Sequence, residues 1–328
     1  MYSRMSIKFT SLLILLIAVL IANPTHAQVN EINAFLEAQE ENTRALTTAY
    51  LAPLATGIST GLNSGWNTKA APSKTLNFSI QVRTALSAVP SSAQMFDANT
   101  IGLQNVTVSP GESSTIAGTD TPGQTITDIT GTYDPIQVPQ GSGFSYVPAA
   151  MIQANVGLVA NTDITIRFIP ETEIPDYGDM SVFGVGIKHG ISQYLPGLFP
   201  LDISIMAGYS QIDLNGYISK ELDQIVETTT SSYVVNALVG KSLPLISLYA
   251  GFGIQGGSID IDMLGEYDVD NNGSIDYTDP VSASLDSDAN AHALAGFQFK
   301  IAILRIYGEV TLSEYTTFNA GVGIGFGR

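Results

Sequence analysis
The chain has 328 residues and carries 13 Lys and Arg against 30 Asp and Glu, a formal charge of −17. An excess of that sign makes a poor partner for nucleic acid or for anionic lipid headgroups, both of which select positive surface. There is no cysteine and therefore no disulfide framework, and charged residues make up only 13% of the chain, about half the usual globular share.

Arg4 and Lys8 precede an apolar run, residues 12–22, followed by Asn23, Pro24 and the small-residue site Thr25-His26-Ala27. This reads as a secretory signal peptide, residues 1–27, cleaved after Ala27. The run is too short to span a bilayer as a helix, and no later stretch supplies the roughly 20 apolar residues that a spanning helix needs. Without the leader the balance is 11 basic against 30 acidic residues, or −19.

Residues 28–70 form the next zone. Ile32, Phe35, Leu36 and Ala38 fall at helical spacing between Glu31, Glu37, Glu40 and Glu41, which predicts a short amphipathic helix over residues 29–50. Residues 51–66 then turn rich in Gly, Ala, Ser and Thr, carry Pro53 and show neither period. Such a segment either folds into a lumen as a plug or remains an exposed linker.

From residue 71 to 328 the pattern is that of β-strands. Leu76, Phe78, Ile80 and Val82 alternate with Asn77, Ser79, Gln81 and Arg83, and Ile164, Ile166 and Phe168 alternate with Asp163, Thr165 and Arg167. Similar runs cover residues 151–159, 181–188, 202–213, 233–241, 247–257, 291–300 and 305–312. The last strand sets Phe318, Ala320, Val322, Ile324 and Phe326 on one face and Asn319 with four glycines on the other. An apolar face opposite a small or polar one suits the wall of a membrane barrel, apolar toward lipid. The fold expected is all-β, a transmembrane antiparallel β-barrel of about 10–14 strands. Ten runs are clear, and weaker ones such as residues 101–108 would raise the number. Trp66 and Tyr194, Tyr209, Tyr217, Tyr249, Tyr307 and Tyr315 are expected in the interfacial girdles.

Between the strands near Gly257 and Ala291 lies an acidic stretch, residues 258–290, with nine acidic residues and no Lys or Arg. Within it Asp268, Asp270, Asn272, Ser274, Asp276 and Asp279 fall at the positions of a calcium loop, with Gly273 at its sharp turn and Ile275 at its inward apolar position. Alternating oxygen ligands would wrap one hard cation, so Ca²⁺ is the expected cofactor. Asp at the last position replaces the usual longer Glu. Enzyme chemistry finds little footing: the mature chain has only His189 and His292, in no metal-ligand spacing, and no nucleophile elbow or phosphate loop.

The runs Ile164-Thr165-Ile166-Arg167-Phe168-Ile169-Pro170, Phe183-Gly184-Val185-Gly186-Ile187-Lys188-His189, Leu195-Pro196-Gly197 and Leu201-Asp202-Ile203-Ser204 resemble an uncharacterised family of Bacteroidetes outer-membrane β-barrel proteins. Tyr50-Leu51-Ala52-Pro53-Leu54 with Gly61-Leu62-Asn63 adds to that resemblance. The layout is also similar to that of the long-chain fatty-acid transporter group, whose N-terminal segment plugs the lumen. The first resemblance implies no activity, and the second concerns architecture alone. The function expected is an outer-membrane channel or transporter for a small or hydrophobic solute with a calcium-binding surface loop. The alternative is a non-transporting structural or adhesive surface barrel. The expected partners are outer-membrane lipid and, through Phe326 near the carboxyl end, the barrel-insertion machinery.

Overall fold
The computed structural model describes residues 40–326, except 132–133, 176–177, 197–199, 220–221, 268–272 and 276. The leader and the first part of the expected helix, residues 29–39, lie outside the described residues.

Among the described residues ten strands close into a barrel. They are β1 (Phe78–Ala88), β2 (Tyr146–Leu158), β3 (Thr162–Ile174), β4 (Gly178–Gly190), β5 (Asp202–Ser219), β6 (Gln224–Ser242), β7 (Ile246–Leu264), β8 (Val281–Ile301), β9 (Leu304–Leu312) and β10 (Thr317–Phe326). Every neighbour in the ring is antiparallel and adjacent in sequence, and β1 closes the seam against β10, with Phe78 opposite Phe326. All ten alternating runs read from the sequence are barrel strands. The weaker run is not: residues 106–108 pair with 125–128 in a small sheet outside the ring, within the long connection 89–145 between β1 and β2.

One end of the ring carries the turns 159–161, 243–245 and 302–303 and the 191–201 connection, and the other carries 89–145, 265–280 and 313–316. Short turns at one end and long connections at the other are the usual asymmetry of membrane barrels. The outward residues of the turn-end half form an apolar belt. Ile80, Phe168, Phe183, Val185, Ile205, Phe252, Ile254, Phe297, Phe318, Val322 and Ile324 are all exposed there. No helix among the described residues is long and apolar enough to cross a membrane.

Strands β5 to β8 are 18 to 21 residues long, about twice what a membrane crossing takes. Beyond the belt their polarity inverts. On β7, Leu248, Phe252 and Ile254 point outward below Gly256, whereas above it Ile259, Ile261 and Met263 are buried inside and Asp260 and Asp262 alternate with them. On β8, Val281 and Ala283 are buried and Ser282 and Ser284 alternate. The outer surface of this region is a hydrogen-bonded polar ladder: Gln211 Nε2 and Thr229 Oγ1 both donate to Asp213 Oδ1 at 2.9 Å, and Asn215 Nδ2 donates to Asp179 Oδ1 at 2.9 Å. Tyr209 and Tyr233, paired across β5 and β6, mark the boundary. The expected loop at 258–290 is therefore corrected to 265–280, because Asp260, Asp262 and Asp286 occupy outward positions on strands that continue beyond the belt. A bulge between Gln255 and Gly257 falls where the inversion begins.

The expected short helix is also corrected. The described helix, α1, runs Glu40–Asn63 and passes through Pro53. It stands inside the ring and touches β1, β2, β5, β6, β7, β8 and β10. An eight-stranded barrel is filled by its own side chains, and ten strands leave room for one slender helix. Gly57 and Gly61 supply the slenderness. A Cβ on Gly57 would collide with the Val147 side chain, and one on Gly61 would lie 3.0 Å from Ala149 Cβ. The upper half of α1 packs into the apolar interior of the strand extensions: Leu46 and Tyr50 meet Ile126 and Val138 of the long connection, and Ala55 meets Ile259 and Ile261.

Candidate functional site
The lower half of the lumen is polar, and it grips the chain that leaves α1. The inward faces of β1, β3, β4 and β9 carry Arg83, Arg167, Asp163, Lys188 and Glu309, all buried. Arg167 is fully buried and directs its guanidinium at the end of α1. Its Nη1 donates to Leu62 O, Nη2 to Ser64 O at 2.7 Å, and Nε to Gln153 Oε1 at 2.9 Å. A helix end leaves carbonyls without amide partners and carries partial negative charge, so a cation with several donors is the natural cap. The same guanidinium lies over the Trp66 ring, 3.7 Å from its centroid, a geometry that adds cation–π attraction.

Arg83 takes the next turn of chain. It is fully buried, donates to Gly65 O, and donates to Asn67 O at 2.9 Å. Glu309 balances it from β9: Oε1 accepts from Gly65 N at 2.6 Å and Oε2 accepts from the Tyr249 hydroxyl at 2.8 Å. Nearer the turn end, Lys188 Nζ sits 3.7 Å from Asp163 Oδ2 and donates to Lys69 O at 3.1 Å, while Asp163 Oδ2 accepts from Ser73 N at 2.8 Å. The wall thus holds residues 62–73 by their backbone, whose amides and carbonyls would otherwise be buried without partners.

Glycine makes the space for this grip. Cβ atoms on Gly186 and Gly208 would each lie 2.8 Å from the Trp66 ring, and one on Gly321 would lie 2.8 Å from Arg83 Cγ. The small face of the terminal strand is the face that lets Arg83 reach the plug. Trp66, Tyr249, Tyr307 and Tyr315 are buried rather than in the expected girdle. The lumen of a filled barrel gives large aromatics as good a burial as any core. Tyr194, Tyr209 and Tyr233 are exposed.

The expected calcium ligands divide. Asp268, Asp270, Asn272 and Asp276 lie outside the described residues. Ser274 is exposed, and Gly273 takes φ +85°, the left-handed turn that glycine accommodates without strain. Asp279 sits at the neck of a short hairpin in which Glu266 pairs with Thr278 and Tyr267 with Tyr277. Its Oδ1 accepts from Gly265 N at 2.8 Å, so that oxygen already has a partner. Ile275 is exposed, not inward as expected; among the described residues the short hairpin brings no second element over it. Tyr267 is packed beneath the neck against Met263, Val281 and Ala283, and burial, with Asp279 second, pushes its hydroxyl up to about 12.

The two histidines stay apart. His189 Nδ1 lies 2.7 Å from Thr162 Oγ1 at the turn end, and His292 Nε2 lies 2.6 Å from Asn236 Oδ1 in the lumen. Sequence reasoning did not single out Arg83, Arg167, Lys188, Asp163 or Glu309 as a working set. Their signal was a charge on the small or polar face of a strand of membrane-spanning length, which is rare without a function or a partner.

Residues 5–326 match a family of unknown function, DUF6588. The chain belongs to that family. No curated protein matches it. Among solved structures it is similar to Ail, the attachment invasion locus protein of Yersinia pestis, at 12% identity over 76% of this chain and 97% of that one, with a TM-score of 0.28. It is similar to the translocator domain of the autotransporter NalP from Neisseria meningitidis at 10% identity over 84% and 93%, with a TM-score of 0.32. A third likeness is to Wzi of Escherichia coli, an outer membrane protein described as a carbohydrate-binding β-barrel, at 8% identity over 88% and 98%, with a TM-score of 0.15.

Proposed function
We propose that this protein is an outer-membrane barrel closed by its own N-terminal segment, and that it acts as a surface platform rather than an open pore. The filled lumen carries this reading. Arg83, Arg167 and Glu309 hold the backbone of residues 62–67 from different sides of the ring, and a solute could cross only by breaking several buried charge-assisted bonds, each worth about 1.5–3 kcal/mol. The apolar belt, the leader and the long strands that emerge from the belt with polar outer faces support an outer-membrane seat with residues 89–145 displayed outside. Lipid would cover the belt. Phe326, exposed and stacked on Phe78 at 5.1 Å, would present the carboxyl-terminal aromatic to the insertion machinery.

The channel reading makes a different demand, namely that residues 40–65 leave the lumen. Planar-bilayer recording separates the two. The intact protein is expected to show no steady conductance, and deletion of residues 40–65 is expected to open a conducting barrel, its fold checked by heat-modifiable gel mobility. A steady current through the intact protein would reject the closed platform.

We also propose that residues 268–279 bind Ca²⁺ and stiffen the loop outside the membrane. Gly273 in its left-handed turn and the hairpin that brings Asp279 to the loop neck support this reading. Chelation is expected to speed protease cleavage within residues 265–280 and to leave the barrel uncut. An unchanged cleavage rate would remove calcium from the account.

A further inference from the structure
At the turn end of the barrel, a cavity of about 280 Å³ is lined by Lys69 and Lys74 of the segment leaving the lumen and by Lys300 and Arg305 of β8 and β9. These are four of the 13 Lys and Arg in a chain with 30 Asp and Glu, yet no described carboxylate lines the cavity. Cations so scarce, gathered in one place against the charge of the whole molecule, need a reason.

The strand register sharpens the point. Lys300 and Arg305 are direct cross-strand partners around the turn Ala302-Ile303, and like charges directly opposite each other destabilise a sheet pair. Arg305 is held in place, donating from Nη1 to Ala302 O at 2.7 Å and to Leu304 O at 3.0 Å. Among the described residues the only ion pair within 4 Å is Lys188 with Asp163; the charges of Asp163 and Asp202 reach Lys69, but no described carboxylate pairs directly with any of the four. The stacked rings of Phe78 and Phe326 also line the cavity, which therefore opens beside the apolar belt.

We propose that this cavity binds a phosphate group, either free or as the headgroup of a phospholipid in the leaflet facing the turn end. Bound phosphate would relieve the Lys300–Arg305 repulsion. The guanidinium supplies paired donors suited to phosphate oxygens, and the three ammonium groups supply compact charge. The free-phosphate form stands on the cavity alone, and the lipid form also rests on the membrane reading above.

The test uses the full protein in detergent micelles. Inorganic phosphate is titrated calorimetrically, and phosphatidylglycerol added to the micelles is followed as retained adducts by native mass spectrometry. Wild type is expected to bind at least one of the two probes. Lys300→Gln with Arg305→Gln is expected to weaken that binding about tenfold or more, while Lys241→Gln, an exposed lysine outside the cavity, leaves it unchanged. Heat-modifiable mobility confirms that each variant is folded, and Arg305→Gln alone serves if the double variant is not. Phosphate binding that the variant loses assigns a soluble ligand, and adducts with phosphatidylglycerol alone assign the headgroup. Absence of both, or equal binding by the folded variant, overturns the proposal.

Discussion
Arg167 does three jobs with one guanidinium: it caps α1, bonds the wall through Gln153 and covers Trp66. Arg167→Met keeps much of the volume and removes the donors, leaving the Leu62 and Ser64 carbonyls buried without their partner. The expected cost is roughly 1–3 kcal/mol per orphaned carbonyl, read as a lower midpoint in urea unfolding from lipid. Arg167→Lys is expected to fall between, since a single ammonium cannot reproduce the fork. Trp66 is the only tryptophan in the chain and reports on the site directly. In the wild type it should resist acrylamide quenching, and in Arg167→Met quenching should rise while the barrel remains folded. Equal quenching in both would show that Arg167 does not hold the plug.

The elements show what the sequence made legible and where it misled. Ten strands were readable because an apolar outer face and a crowded lumen impose a strict alternation, as on Phe318 to Phe326 against Asn319 and its glycines. Their lengths were not, because above Gly256 the same alternation continues with its sign reversed, and Asp260 and Asp262 look like loop residues until Ile259 and Ile261 are seen facing inward. The helix from 51 to 63 was hidden for a related reason. It is enclosed by the ring, so Leu51, Leu54, Ile58 and Leu62 are interleaved with small residues such as Gly57 and Gly61 where a surface helix would carry a charged face. Two substitutions on one face of β7 test the boundary. Ile254→Lys, in the belt, should cost about 2–4 kcal/mol at the bilayer midplane and less near its edge, whereas Ser258→Lys, four residues on, should change stability by no more than about 0.5 kcal/mol. Equal costs would place the membrane edge elsewhere. Within the ring, Gly57→Leu should lower the unfolding temperature markedly, because its side chain would have to enter the space of Val147.

At the scale of the molecule, plug and wall share one interior, with Ile58 and Leu62 packed on Val147, Ile169 and Val182. Unfolding followed by Trp66 emission and by gel mobility should therefore coincide, and an earlier Trp66 transition would mean that the plug moves as a separate unit. The path of the backbone carries a further consequence. The chain enters the ring at the long-loop end, where Asn42 meets Gln104, descends through it, and emerges near Asp163 before turning into β1. The first strand then pairs with the last, so the seam from Phe78 to Phe326 is the final contact the ribbon can make. A hoop already fastened would have to be threaded by a loose end. A hoop fastened last closes around whatever lies within it, so the topology favours an order in which the strap is laid down first and the clasp traps it.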